Sequence, residues 1–396
     1  MKIVYLDHAA TTSVDKNVFL AMKPYLLDDY GNPSQPHLMG MKAKKAIEDS
    51  RIIISKFLKC DPCEVIFTSC ATESINLSHK GLIDALSNNL KKKAHIVTSS
   101  IEHKAVLETC HHLEKNNLAE ITYLPVDEYG MVNICDIEKS IQENTVLVSI
   151  MYVNNEAGTI QPIMEIGKIL KRINKLRTTN SQQRIYFHTD ATQAIPYLNC
   201  DVNLLGVDLL SFSGHKINAP KGIGALFIKK GTTVLRQQDG GAQEFNLRSG
   251  TENVAFIAGL GEAIKNICKN RNSIKKIEIL RDQLISQVLK IPGTLLTGHP
   301  KIRSPHIASF TVEGIEGEAL ILRLSDKGIM ASSGSACTSQ SLNPSHVLSA
   351  MGISPIISHG SIRFSLGKEN TEKEIKYVIK ILPKEIDKLR KMAPKL

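Results

Sequence analysis

Between residues 64 and 229 the chain repeats one arrangement: a short apolar run, a polar turn, then a stretch with helical spacing. The runs EVIFTS, AHIVTSS, TVLVSIM and RIYFHTD are followed by helical patterns over 72–88, 103–115, 163–177 and 192–198, and VDLLSFS and GALFIK add two further runs. A strand that is apolar throughout must be covered on both faces, and parallel pairing of such strands requires long crossovers, usually helices. The pattern therefore restricts this region to an α/β domain with a mostly parallel sheet flanked by helices. At 396 residues there is room for a smaller companion as well. Helical spacing continues to about residue 290, IPGTLLTGHP interrupts it, and HIASFTV, GEALILRLSDKG, GSIRFSLG and a charged terminal helix then read as an α+β unit. We expect residues 15–260 to form the large domain, and 1–14 with 261–396 the small one.

Composition excludes several classes. With 42% hydrophobic and 22% charged residues the chain belongs with folded domains rather than disordered ones. No segment approaches a membrane span, and MKIVYLDHAATTSVD reaches charge without the apolar core of a signal peptide, so a cytoplasmic protein with no membrane association is expected. Lys and Arg exceed Asp and Glu by 49 − 39 = 10, but the excess is dispersed. Without a helix-turn-helix, finger or aromatic platform, direct nucleic-acid binding is not expected. Eight irregularly spaced cysteines indicate free thiols in a reducing compartment. Cys60 and Cys63 form a C-x-x-C with no second pair, which reads as a turn before a strand.

Chemistry in such a sheet gathers at the carboxyl ends of its strands, where TSCATES, SSIEHKA, MYVNNEAG, HTDATQA and SFSGHK all fall. One polar residue at a strand end is ordinarily a helix cap. Here Lys216 follows one apolar run directly, and Asp190 ends another 26 residues upstream. A lysine able to form an aldimine and a carboxylate able to keep a pyridine nitrogen protonated are the two protein groups that pyridoxal phosphate requires. TSCATESINL adds a strand, a small-residue turn with Thr72 and a helix start whose amides attract an anion. Residues 331–339, ASSGSACTS, surround Cys337 with side chains too small to build a core, so the segment reads as an exposed loop presenting a thiol.

These motifs, with YLDHAATT, GNPSQPH, RSGTEN and SIRFSLG, occur in the order found in the NifS/IscS group of cysteine desulfurases, and the sequence resembles that group over nearly its whole length. The resemblance implies a fold type I, class V pyridoxal phosphate enzyme that converts L-cysteine to L-alanine. The sulfur would be left as a persulfide on Cys337 for an acceptor protein serving iron–sulfur assembly, tRNA thiolation or DNA phosphorothioation. By the same resemblance Lys216 carries the aldimine and moves protons, Asp190 pairs with the pyridinium nitrogen, and His103 stacks on the ring and acts in acid/base steps. Gln193 lies near the phenolic oxygen, Asn155 near ring and substrate, and Ala71, Thr72, Ser213 and His215 around the phosphate. Thr251 reaches the phosphate from a second subunit, implying a homodimer, while Arg363 and Asn32 bind substrate. Cys70 stands where the group usually has glycine, as does Ala242. A selenocysteine lyase or another class V enzyme is the alternative activity. A non-catalytic adaptor of this fold should have lost Lys216, His103 or Cys337, and all three are present.

Overall fold

The computed structural model describes residues 3–87, 92–333 and 344–392. Cys337 lies outside the described residues. Twelve strands occur among them: β1 (Val4–Tyr5), β2 (Val65–Thr68), β3 (Ala94–Ser99), β4 (Ala119–Leu124), β5 (Thr145–Ser149), β6 (Tyr186–Asp190), β7 (Leu209–Ser213), β8 (Gly224–Ile228), β9 (Thr294–Leu296), β10 (Ile307–Val312), β11 (Ile329–Met330) and β12 (Ser361–Ser365). Seven of them form one sheet in the order β2-β8-β7-β6-β5-β3-β4. The neighbours from β7 through β4 pair in parallel, and β8 alone runs antiparallel, to both β2 and β7. The expected α/β architecture is present, and every residue of β2, β3, β5, β6, β7 and β8 is buried.

Helices cover the two faces of this sheet. Ile75, Leu82, Val106 and Leu113, from Ala71–Ser87 and Lys104–Lys115, pack with Ile96, Leu147 and Leu209 in one apolar cluster. Ile54 and Leu58 of Leu38–Leu58, Ile166 and Leu170 of Ile163–Thr179, and Leu260 and Ile264 of Val254–Lys269 pack with Val148, Phe187 and Phe212 in another. A third core gathers Leu6, Leu280, Phe310, Leu324, Phe364 and Val378 around the sheet β12-β10-β9 and the parallel pair β1-β11.

Three local features are not those the sequence led us to expect. Residues 192–198 form a run of turns rather than a helix, because Pro196 lacks an N–H and disfavours helical geometry in Ile195. The chain instead closes through Ala194 and Ile195 N–H on Ala191 O, and Tyr197 and Leu198 N–H on Ala194 O. Strand β4 carries no strong apolar signal because it is the half-exposed sheet edge. The boundary expected at 260/261 cuts helix Val254–Lys269, whose Ala255, Ile257, Ala263 and Ile264 all belong to the large core. As expected, the C-x-x-C leads into a strand: Pro62–Glu64 form a short 3-10 turn before β2.

Candidate active site

The carboxyl ends of β2, β6 and β7 and the loops after β3 and β5 enclose a cavity of about 290 Å³. It is lined by Ala71, Thr72, His103, Asn155, Asp190, Gln193, Ser213, His215, Lys216 and Arg363, ten of the thirteen residues singled out from the sequence. Two others lie elsewhere. Asn32 is exposed, its Oδ1 accepting the Ser34 N–H at 2.9 Å. Thr251 is exposed and lines a separate cleft with Phe67, Thr68 and Glu244. The thirteenth is Cys337.

Lys216 sits in the connection 214–223 between the antiparallel strands β7 and β8, and its Nζ donates to Ala9 O at 2.6 Å and to Ala10 O at 2.5 Å. These two carbonyls come from YLDHAATT, a motif recognisable in the sequence whose individual residues gave no chemical signal. Asp190 ends β6, and its Oδ1 accepts the Thr192 N–H at 2.9 Å. His103 caps helix Lys104–Lys115, its Nδ1 accepting the Ala105 N–H at 3.1 Å. That bond places the proton of the neutral ring on Nε2. Burial lowers the His103 pKa, with Asp190 opposing and Lys216 reinforcing the shift.

The turn before helix Ala71–Ser87 is fixed from β7. Ser213 Oγ accepts the Ala71 N–H at 2.7 Å, so its hydroxyl keeps a proton to donate. Below the turn Gly224 pairs with both Thr68 and Ser213, and a Cβ there would stand 2.8 Å from Cys70 C and 2.7 Å from Phe212 O. Cys70 is not among the residues with positive φ, so a side chain in place of glycine costs no backbone strain. Glu73 accepts the Ser69 N–H at 2.7 Å and pairs with Arg248 of RSGTEN at 2.9 Å. His215 is pushed down to about 4 by burial and then by Lys216, and is therefore neutral, with Nδ1 3.1 Å from Thr11 Oγ1.

Arg363 is held at both terminal nitrogens, by Asn155 O at 2.8 Å and by Asp7 Oδ1 at 3.2 Å, while its buried Nε has no partner among the described residues. Asp7 also accepts the Ser332 hydroxyl at 2.7 Å. Neither Asp7 nor Ser332 was signalled by the sequence, since each acts only through a partner hundreds of positions away. His188, Asp208 and Asn154, which stand close to the motifs, are structural: His188 bridges Ser149 and Ser211, Asp208 accepts the Phe187 N–H, and Asn154 accepts those of Glu156 and Ala157.

An amine, a buried carboxylate, a helix-start turn with hydroxyl donors and a neutral imidazole in one cavity fit the aldehyde, ring nitrogen and phosphate of pyridoxal phosphate. Fold and site together define a pyridoxal phosphate-dependent enzyme. The family model described as Aminotransferase class-V matches residues 4–378. A cysteine desulfurase IscS from Methanosarcina thermophila is 48% identical over 99% of this chain and 94% of its own. Among solved structures, a NifS-like protein superposes with a TM-score of 0.89 at 38% identity, over 98% of this chain and 100% of that one. A structure described as SspA in complex with cysteine gives a TM-score of 0.78 at 35% identity, over 93% and 99%. The chain belongs to the cysteine desulfurases, the NifS/IscS group within the class-V aminotransferase family.

Proposed function

We propose that this chain moves the sulfur of L-cysteine onto Cys337 and releases L-alanine. The observation that carries the reading is the convergence of Lys216, Asp190, His103, Gln193 and Arg363 on one cavity of about 290 Å³. Bound pyridoxal phosphate supplies an aldehyde for the substrate amine and a ring that accepts the electrons of its Cα–H bond.

The protein's own groups do the rest. Arg363, braced by Asp7 and Asn155 O, lines the cavity and offers its guanidinium to the substrate carboxylate. Lys216, when displaced by substrate, holds its ammonium protons on Ala9 O and Ala10 O and returns one as the product forms. His103 exchanges a proton at Nε2 while the Ala105 N–H fixes its ring. The Cys337 thiolate forms an S–S bond to the substrate sulfur, the Cβ–S bond breaks with its electron pair going to Cβ, and protonation gives the alanine methyl. Atoms and electrons balance without an external oxidant, and Cys337 is left as a persulfide for an acceptor protein.

We read the active form as a homodimer, a reading supported by the exposure of Thr251 away from its own chain's cavity. The seven described cysteines are all free thiols, which suits the cytoplasm, and no described helix is long and apolar enough to cross a membrane.

The test is an absorption spectrum with alanine assayed in the same tube. Cys337→Ser should keep the visible band of the bound cofactor and lose sulfide release, whereas Lys216→Ala should lose the band and turnover together. Equal turnover in Cys337→Ser and the parent would remove Cys337 as the sulfur acceptor.

A further inference from the structure

Gln193 is held by two groups, Ala9 and His306, and His306 in turn by Ser304, so that their hydrogen-bond directions are mutually determined. Its Nε2 lies 2.9 Å from Ala9 O, and its Oε1 lies 3.2 Å from His306 Nε2. A backbone carbonyl can only accept, so the amide must turn its NH₂ toward Ala9. That leaves Oε1 facing His306, which must then carry its proton on Nε2. The other ring nitrogen, Nδ1, is left to accept from the Ser304 hydroxyl 2.6 Å away. The chain of donors thus runs one way, from Ser304 Oγ to His306, from His306 Nε2 to Gln193 Oε1, and from Gln193 Nε2 to Ala9 O. With its oxygen engaged and one N–H spent on Ala9, Gln193 presents its second N–H to the cavity it lines.

We propose that His306 is a positioning residue that locks the Gln193 amide so that an N–H, and not the carbonyl oxygen, faces the cofactor's phenolic oxygen. This deepens the proposed function and rests on the pyridoxal phosphate reading of the site. Three features make the lock stiff. The His306 ring stacks on Tyr197 with centroids 4.1 Å apart and planes 20° apart. The turns over 192–198 supply both the amide that meets ring Nε2 and the Tyr197 ring that stacks on its face. Gln193 and His306 are both buried, so water does not compete for the amide. Burial also drives the His306 pKa well below its ordinary value, with His8, Arg363, Arg281 and Lys216 adding to the shift, so the ring stays neutral with a single proton to assign.

An N–H aimed at a phenolic oxygen favours its anionic form and thereby eases loss of the proton from the neighbouring nitrogen linked to Lys216. The experiment is a pH titration of the visible band of the purified protein loaded with pyridoxal phosphate. His306→Phe keeps the stack on Tyr197 and removes both ring nitrogens. It should raise the pH midpoint by about one unit or more, the scale of one lost hydrogen bond to a charged group. Gln193→Ala should raise it likewise, and the double variant should add nothing further. Ser304→Ala, a milder change that leaves the ring in place, should shift it the same way by less. The other titratable and charged groups lining this cavity, Asp190, His103, His215 and Arg363, are retained throughout and contribute equally to every curve. An unchanged midpoint in both His306→Phe and Ser304→Ala would overturn the assignment, as would additive shifts in the double variant. If the parent protein took up pyridoxal phosphate without any visible band, the failure would lie with the cofactor reading instead.

Discussion

Glu102 stands one position before His103 yet touches none of the reacting groups. Its Oε1 accepts the Ser99 hydroxyl at 2.6 Å and the Met151 N–H at 3.0 Å, while Oε2 is buried with no partner among the described residues. Burial raises its pKa to about 8, and its hydrogen bonds only partly offset that shift. A group whose folded-state pKa is raised contributes stability that is present below its unfolded value and lost as pH rises through the folded one. The loss therefore falls between about pH 4.5 and 8 and is on the order of a few kcal/mol for a fully buried group. Glu102→Gln keeps both acceptor bonds and cannot ionise. We expect the two proteins to have similar urea midpoints at pH 5 and the glutamine form to be the more stable at pH 8, with its visible band unchanged. Parallel stability curves across that range would show that Glu102 is ionised at no cost.

At the scale of elements, the antiparallel strand β8 decides where the lysine sits. Because β8 opposes both neighbours, β2 and β7 remain parallel to each other, and the turn at Cys70 and the β7 end at Ser213 arrive on one edge with Gly224 between them. Lys216 then lies in a ten-residue connection, 214–223, and not on a long crossover. Gly224→Ala would drive a Cβ into backbone atoms of Cys70 and Phe212, which cannot move aside as a side chain could. We expect it to cost roughly 1–3 kcal/mol of stability and to weaken pyridoxal phosphate binding, as read by titrating the visible band. Undiminished affinity would mean that the turn is not a phosphate seat. The buried strands and their covering helices were legible in the sequence because each writes a local, repeated pattern. Edge strand β4 was not, since half its surface meets solvent, and neither were the turns at 192–198, where one proline outweighs a helical pattern. The site was legible where a motif holds its own chemistry, as at Lys216 and Asp190. It was illegible where a residue acts through a distant partner, as His306 does on Gln193, 113 positions away.

For the molecule as a whole, helices Lys16–Leu27 and Leu38–Leu58 expose Phe19, Leu20, Leu27, Leu38 and Met41. Apolar surface of this kind would suit the proposed homodimer, in which a second copy would also bring its Thr251 to the site. Sedimentation should give twice the chain mass, and Thr251→Ala should lower cofactor affinity without altering the band's position. A monomer that binds pyridoxal phosphate as tightly at every concentration would sink the dimer reading. The active site also joins parts of the chain made at very different times. Lys216 rests on a carbonyl 207 residues earlier, and Arg363 pairs with Asp7 across 356 residues. A ribosome adding roughly 5–20 residues per second releases the first ten residues long before the lysine that leans on them, and longer still before the arginine. The cavity lacks one wall until β12 has emerged, so a polypeptide interrupted short of that strand would carry every strand of the large sheet without the Arg363 that lines the cavity.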